Sequence, residues 1–182
     1  MLRYIIWLSA VIGLIIILLL LIIPGGKTLP PPKTLASYAP TSAVAKLTID
    51  GPINADSQHQ SIDISVSSSQ VVYRQVNGYD SDVVKQETFT NTQSAYYNFL
   101  RAIALAGYKE GNTEVSASNP TGYCSSGDRY IYKLTENGSN IINFWSTSCG
   151  GPKTYDGDVD ITLSLFEAQV PGYYNLTSGV RI

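Results

Sequence analysis

Three kinds of hydrophobic pattern follow one another along the chain. The first is continuous: residues 4–26, YIIWLSAVIGLIIILLLLIIPGG, carry no charge and would be apolar on every face of a helix. About twenty apolar residues in a helix span roughly 30 Å, the thickness of a bilayer core. A secretory signal peptide has a shorter apolar region, about 7–15 residues, and a small-residue cleavage site. Here the run ends in Ile-Ile-Pro-Gly-Gly, with no such site and no cysteine for lipid attachment. The pattern predicts an uncleaved transmembrane anchor over residues 1–26. Residues 27–42 follow as a spacer, semi-rigid around Pro30, Pro31 and Pro32, which favour polyproline II geometry.

The second pattern has period two. Val44, Lys46 and Thr48 alternate with Ala45, Leu47 and Ile49, which predicts a first strand. Ile62, Ile64 and Val66 alternate with Asp63, Ser65 and Ser67; residues 67–69 can turn, and residues 71–76 return as a strand. Asn77-Gly78 is a type I′ hairpin signal, and residues 82–89 read as a further strand. The third pattern is helical. In TNTQSAYYNFLRAIALAGY, Tyr96, Phe99, Leu100 and Ile103 recur at helical spacing, predicting a helix over residues 95–106. Asn91 or Thr92 can cap it, and Gly107 stands where a terminating glycine belongs. Strands at residues 129–135 and 140–147 flank the turn signal ENGS, and a last helix starts near residues 158–160 and runs to Gln169, ended by Pro171. Residues 43–182 therefore read as an α+β domain: an antiparallel sheet of about five or six strands against one or two helices.

Charge narrows the partners. Residues 1–40 hold Arg3, Lys27 and Lys33 and no acid, which leaves 9 basic and 14 acidic side chains beyond them, a net charge of −5. Such a surface lacks the basic patch that phosphate binding needs, so nucleic acid is a poor partner. Arg3 on one flank of the apolar run against Lys27 and Lys33 on the other leaves the positive-inside comparison nearly tied.

The two cysteines help to break the tie. A metal site needs about four ligands in short pairs, and a redox pair is normally Cys-x-x-Cys; Cys124 and Cys149, with the single histidine His59 far away, fit neither. Counted back from a turn at Asn137-Gly138, they fall one or two positions from lying opposite each other, just outside the strand ends. A disulfide would staple the hairpin base and contribute roughly 3.5 kcal/mol in the chain-entropy model; two free thiols are the alternative. Disulfides persist in exported compartments, which places the domain outside the cytoplasm, with the membrane as partner through residues 4–26.

Other chemistry is sparse. Asp156, Asp158, Asp160 and Glu167 occupy the first, third, fifth and twelfth positions of an EF-hand calcium loop, yet Ile161 stands where that loop needs glycine. These acids read as the capped start of a helix, with a weak cation site as the alternative. His59, in the polar stretch DSQHQS, reads as a solvated loop residue, and nucleophilic triads need a histidine. No glycine-rich phosphate loop is present, and nothing implies a cofactor. Asn137-Gly-Ser and Asn175-Leu-Thr are formal glycosylation acceptors, the first better explained as a turn. Tyrosines number 13 against 4 phenylalanines. Tyr79, Tyr155 and Tyr173 or Tyr174 read as exposed contact residues, whereas Tyr96, Tyr130 and Tyr132 read as ordinary half-buried positions.

The order of elements, together with the stretches FLRAIALAGY, DRYIYKLTENG and NFWSTS, resembles small bacterial domains of the emfourin type, which include protein inhibitors of thermolysin-like metalloproteases. The resemblance covers roughly residues 44–169 and implies the α+β fold. The anchor, the spacer and the two cysteines are departures from that pattern. Taken together, the chain reads as a non-enzymatic, membrane-anchored extracytoplasmic domain that binds a protein or a cell-envelope component. Protease inhibition is the alternative, and a cell-envelope hydrolase ranks behind it.

Overall fold

The computed structural model describes residues 3–7, 12–15, 33–80, 82–113, 119–151 and 153–182. Two compact units emerge, Met1–Lys33 and Thr34–Ile182. In the first, residues 3–7 and 12–15 are helical. Among the described residues no helix is long and apolar enough to cross a membrane. The transmembrane helix expected over residues 4–26 is thus not supported by them, and most of it, residues 8–11 and 16–26, lies outside the described residues, as do residues 27–32 of the spacer.

The second unit is the α+β domain. It opens with a 3-10 turn, Leu35–Tyr38, whose Leu35 and Tyr38 are buried in the core although they fall in the stretch read as spacer. Strands β1 (Val44–Asp50), β2 (Gln60–Val66), β3 (Gln70–Asn77) and β4 (Asp82–Thr90) lead into helix α1 (Gln93–Leu105). Strands β5 (Arg129–Glu136) and β6 (Ser139–Thr147) follow, then helices α2 (Val159–Glu167) and α3 (Tyr173–Thr177). The six strands form one antiparallel sheet in the order β4-β3-β2-β1-β5-β6. Consecutive strands β1 to β4 pair as a meander, and α1 carries the chain back so that β5 pairs on the free side of β1.

The period-two pattern decides which face is buried. Ala45, Leu47 and Ile49 of β1, Ile62, Ile64 and Val66 of β2, Val71 and Tyr73 of β3, Tyr132 and Leu134 of β5 and Ile142 and Phe144 of β6 all point inward. Onto that face pack Tyr96, Phe99, Leu100 and Ile103 of α1, Phe166 of α2 and Val170. The opposite face carries Lys46, Thr48, Asp63, Ser65, Val72, Arg74, Ile131 and Lys133, all partly or fully exposed. One apolar and one polar face is what an alternating antiparallel sheet allows.

Local chemistry sets the ends of the elements. Thr92 caps α1, its Oγ1 accepting from Ala95 N at 3.1 Å, so the helix starts two residues earlier than the periodicity indicates. At the other end Gly107 takes φ +81°. Gly107 N donates to Ala104 O at 3.2 Å and Tyr108 N to Ile103 O at 3.0 Å, the paired bonds of a Schellman motif. That turn drops Tyr108 onto the sheet. The β5–β6 hairpin closes through Asn137 (φ 50°) and Gly138 (φ 80°), the two left-handed residues of a type I′ turn. The Asn77-Gly78 signal resolves differently. Only Gly78 is left-handed, and β4 does not begin until Asp82, because Gly78 N and Tyr79 N are drawn to His59 O and Asp56 Oδ1, at 2.9 and 2.8 Å.

The tyrosine surplus belongs largely to this core. Tyr96, Tyr108, Tyr132 and Tyr155 are fully buried, each with its hydroxyl bonded: Tyr96 to Ala43 O at 3.0 Å, Tyr132 to Ser146 Oγ at 2.9 Å, Tyr155 to Thr162 Oγ1 at 2.7 Å. Tyr108 Oη lies 3.0 Å from Lys46 O and 2.9 Å from Lys133 O, the carbonyls of two residues paired across the β1–β5 seam. Tyr155 is therefore a core residue and not the exposed contact its sequence context suggests. Tyr79 and Tyr174 are exposed, at 50% and 84%.

Two outcomes follow from this core. Phe99→Ala should cost roughly 3–5 kcal/mol, because Phe99 is 4% exposed and packs edge-on to Phe166 at 5.0 Å. Urea denaturation measures it, and a loss below about 1 kcal/mol would refute the assigned face. Burial also pushes the phenols of Tyr96, Tyr108 and Tyr132 up, and the neighbouring phenol of Tyr155 adds to the shift at Tyr108. Their folded values lie above the unfolded value of about 10, so this contribution to stability is complete below about pH 10 and is lost as pH rises toward the folded values. In a combined ultraviolet and circular-dichroism titration these phenols should ionise only as the fold is lost. Complete tyrosine ionisation with an intact near-ultraviolet dichroism spectrum would contradict it.

Candidate functional site

The sequence singles out three groups of side chains, and the structure disposes of each differently. Cys124 and Cys149 are joined, with S–S 2.02 Å and Cα atoms 5.6 Å apart. The register behind the bond differs from a simple count. In β6 an extra residue, Ile141, falls between the pairs Leu134–Ile142 and Thr135–Asn140, so the last rung is Arg129–Thr147. Cys149 lies two residues beyond that rung and Cys124 five before it. A turn absorbs the excess: Cys124 has φ 53°, and Gly127 N donates to Cys124 O at 3.2 Å. A side chain at Gly127 could not fit, since its Cβ would lie 2.8 Å from Cys124 Sγ and 2.5 Å from Ser148 Oγ.

The acidic group serves the helix. Asp158 is the N-cap of α2, its Oδ1 accepting from Ile161 N at 2.9 Å, and Asp160 sits in the first turn. Glu167 is at the far end of α2; burial raises its carboxyl, and a hydrogen bond from Tyr173 partly offsets that. Among the described residues no three acidic, histidine or cysteine side chains converge to hold a metal ion.

His59 lies in neither a loop tip nor water. It is 3% exposed and belongs to a polar cluster at one end of the sheet. Asp50, the last residue of β1, faces Arg129, the first residue of β5, across a rung of the ladder. Arg129 Nε and Nη2 donate to Asp50 Oδ2 at 2.8 and 2.6 Å, and Nη2 also donates to Gly51 O at 2.7 Å. His59 Nε2 lies 2.9 Å from Asp50 Oδ1, and its Nδ1 lies 3.1 Å from Pro52 O. Tyr79 stacks on the imidazole with ring centres 4.1 Å apart and planes 13° apart, and its hydroxyl donates to Asn54 O at 3.0 Å. Next to the cluster, burial pushes the Asp128 carboxyl up; Arg129 opposes that and Asp50 adds to it.

The disulfide loop closes the same end. Ile53 N donates to Ser125 O at 2.8 Å, which joins the segment after β1 to the segment after Cys124. Tyr123 stacks on Trp145 at 5.1 Å and covers an indole that would otherwise sit on the polar face of the sheet. Chemically the cluster is a clamp. Both imidazole nitrogens are bonded within the fold and one ring face is under Tyr79, so no substrate proton has an approach to His59. Sequence reasoning misses the cluster because its members are 79 residues apart at most and each sits at an element end, where alternation carries little information. The only signal was Asp50 closing and Arg129 opening adjacent strands on the polar register.

The surface left available is the polar face beside the clamp. Lys46 Nζ bonds Asp63 Oδ2 at 2.9 Å, and Thr48 Oγ1 donates to Asp63 Oδ1 at 2.5 Å. Arg74 Nε donates to Gln86 Oε1 at 2.7 Å, so Lys46, Asp63 and Arg74 are held in defined positions on this face. No protein-family model matches the chain, and no curated protein matches it either.

The clamp makes a thermodynamic prediction. Asp50→Ala leaves Arg129, 4% exposed in its side chain, as a buried charge without its carboxylate, and should cost roughly 3–5 kcal/mol in urea denaturation. A loss below about 1 kcal/mol would show that the cluster does not hold the end of the sheet.

Proposed function

We propose that this chain is a membrane-anchored, extracytoplasmic binding domain that presents the polar face of its sheet to a protein or cell-envelope partner without catalysing a reaction. The observation that carries the reading is the sheet itself. Helices and the first turn cover one face, whereas the other holds Lys46, Asp63 and Arg74 in bonded positions open to solvent. The apolar run of residues 4–26 supports the anchor, and the Cys124–Cys149 bond supports an oxidising compartment. The engaged imidazole of His59, the chain's single histidine, supports a non-catalytic role. The resemblance to emfourin-type domains keeps protease inhibition as a kind of protein binding within this reading.

Topology tests it first. Protease added to spheroplasts of a bacterial host making the full chain should digest the domain beyond residue 34, and permeabilising the inner membrane should add nothing. A domain fully protected until permeabilisation would overturn the reading. A photo-crosslinking amino acid at Ile131, on the polar face, should then capture a partner in the envelope that the same group at Tyr174 does not. Equal capture at both positions would remove that face as the binding surface.

A further inference from the structure

The two edges of the sheet are not equivalent. At the β6 edge, Thr154 N and Tyr155 N both donate to Trp145 O at 3.0 Å, and Thr154 Oγ1 accepts from Trp145 N at 2.9 Å, so a neighbouring segment occupies part of the strand's outer side. The β4 edge is different. Among the described residues β4 ends the strand order and pairs only with β3, and seven of its nine residues are exposed. Val83 and Val84 are 49% and 52% exposed. A long strand with a free row of amides and carbonyls and exposed valines is a template for another strand.

The charge order along β4 says which strand. Lys85, Gln86 and Glu87 are consecutive, so a twofold axis at Gln86 places Lys85 opposite Glu87 of a second copy and Glu87 opposite its Lys85. The same axis brings Thr88 to the bulge residue Val84 of the other copy, where the regular ladder ends. Opposite charges directly across an antiparallel pair stabilise it, and like charges destabilise it. A lysine on an edge normally blocks pairing with apolar strands, and the bulge that β4 makes opposite Gln75 and Val76, with Val84 as its extra residue, restricts regular pairing to the stretch from Lys85 onward. Both features discourage a foreign strand, but the charge order offers each Lys85 a carboxylate in a second copy. We infer that β4 is a self-recognition edge, through which two copies of this chain join their sheets in an isologous antiparallel dimer centred on Gln86. This inference does not depend on the binding role of the polar face.

The full chain in the membranes of its host tests it. Because no described cysteine is free, Gln86→Cys adds the one reactive thiol. Directly opposed residues lie within disulfide reach, roughly 4.5–5.5 Å between Cα atoms. Mild oxidation should yield a covalent dimer on a non-reducing gel. Lys85→Cys or Glu87→Cys alone should cross-link several-fold less, whereas the two, differently tagged and co-expressed, should cross-link to each other. Cross-linking no better from Gln86→Cys than from Tyr174→Cys, or a Gln86→Cys adduct to a different polypeptide, would overturn the assignment. Charge reversal keeps the test independent of oxidation. Lys85→Glu and Glu87→Lys should each weaken dimerisation about tenfold, since each replaces two attractive pairs by two repulsive ones, and the double reversal should restore it. Failure of that rescue, with the double variant folded by circular dichroism, would equally sink the proposal.

Discussion

One hydroxyl sits where the domain's parts meet. Tyr108 Oη lies within hydrogen-bonding distance of Lys46 O and Lys133 O, on the seam where β5 joins β1. That seam is the only pairing in the sheet between strands that are not consecutive, so it closes the longest loop. The phenol reaches it because Gly107 turns the chain out of α1 through a Schellman motif, and a Cβ there would press to 2.8 Å on Gly157 Cα. Around Tyr108 stand Tyr132 in an edge contact at 6.2 Å and Phe166 at 5.7 Å, so α1, α2 and both halves of the sheet share one aromatic cluster. Buried tyrosine suits this place. Its ring fills core volume, and its buried hydroxyl finds acceptors in the sheet backbone.

The end of the sheet near Asp50 follows different physics. There the chain buries charge, and the charge is tolerated because its main partners are in place: Asp50 meets Arg129 and His59, and His59 meets Pro52 and Tyr79. Among the described residues, only Arg129 Nη1 is a buried side-chain nitrogen or oxygen without a hydrogen-bond partner. Such a cluster contributes less through net attraction than through geometry. Few other arrangements of β1, β5 and the segment at residues 51–59 could satisfy the same groups, and a misplaced partner would leave a bare charge in a dry site. The disulfide restricts the neighbouring loop by covalent means, so two unrelated devices fix one end of the polar face.

How much of this could be read from residues alone depended on how local the cause was. The alternation in β1, the Phe99 face of α1, a cap at Asn91 or Thr92 and a hairpin turn within ENGS are settled by neighbours in sequence, and they were legible. The Cys124–Cys149 pairing was legible from the turn, although the bulge at Ile141 moved the rung by which it was counted. The burial of His59 and Tyr155 was not legible. Both sit in polar, glycine- or serine-containing stretches that look solvated, and both are buried by distant partners: Asp50 across the β1–β2 connection, and Thr162 with Ala106 beneath α2. Of the candidate binding surface, the polar register of the strands was visible, but not which residues would clamp its end.

The way the chain enters the domain determines how force would reach it. Before β1 the chain passes Leu35 and Tyr38, packed into the core beside α1, so tension arriving at Thr34 meets a docked segment first. Beyond it the tension reaches β1, a central strand laddered to β2 on one side and β5 on the other. A pull along that strand loads both ladders in shear, with their rungs sharing the stress, instead of peeling an edge strand one bond at a time. The Cys124–Cys149 loop joins the other side of β5 and lies off this path.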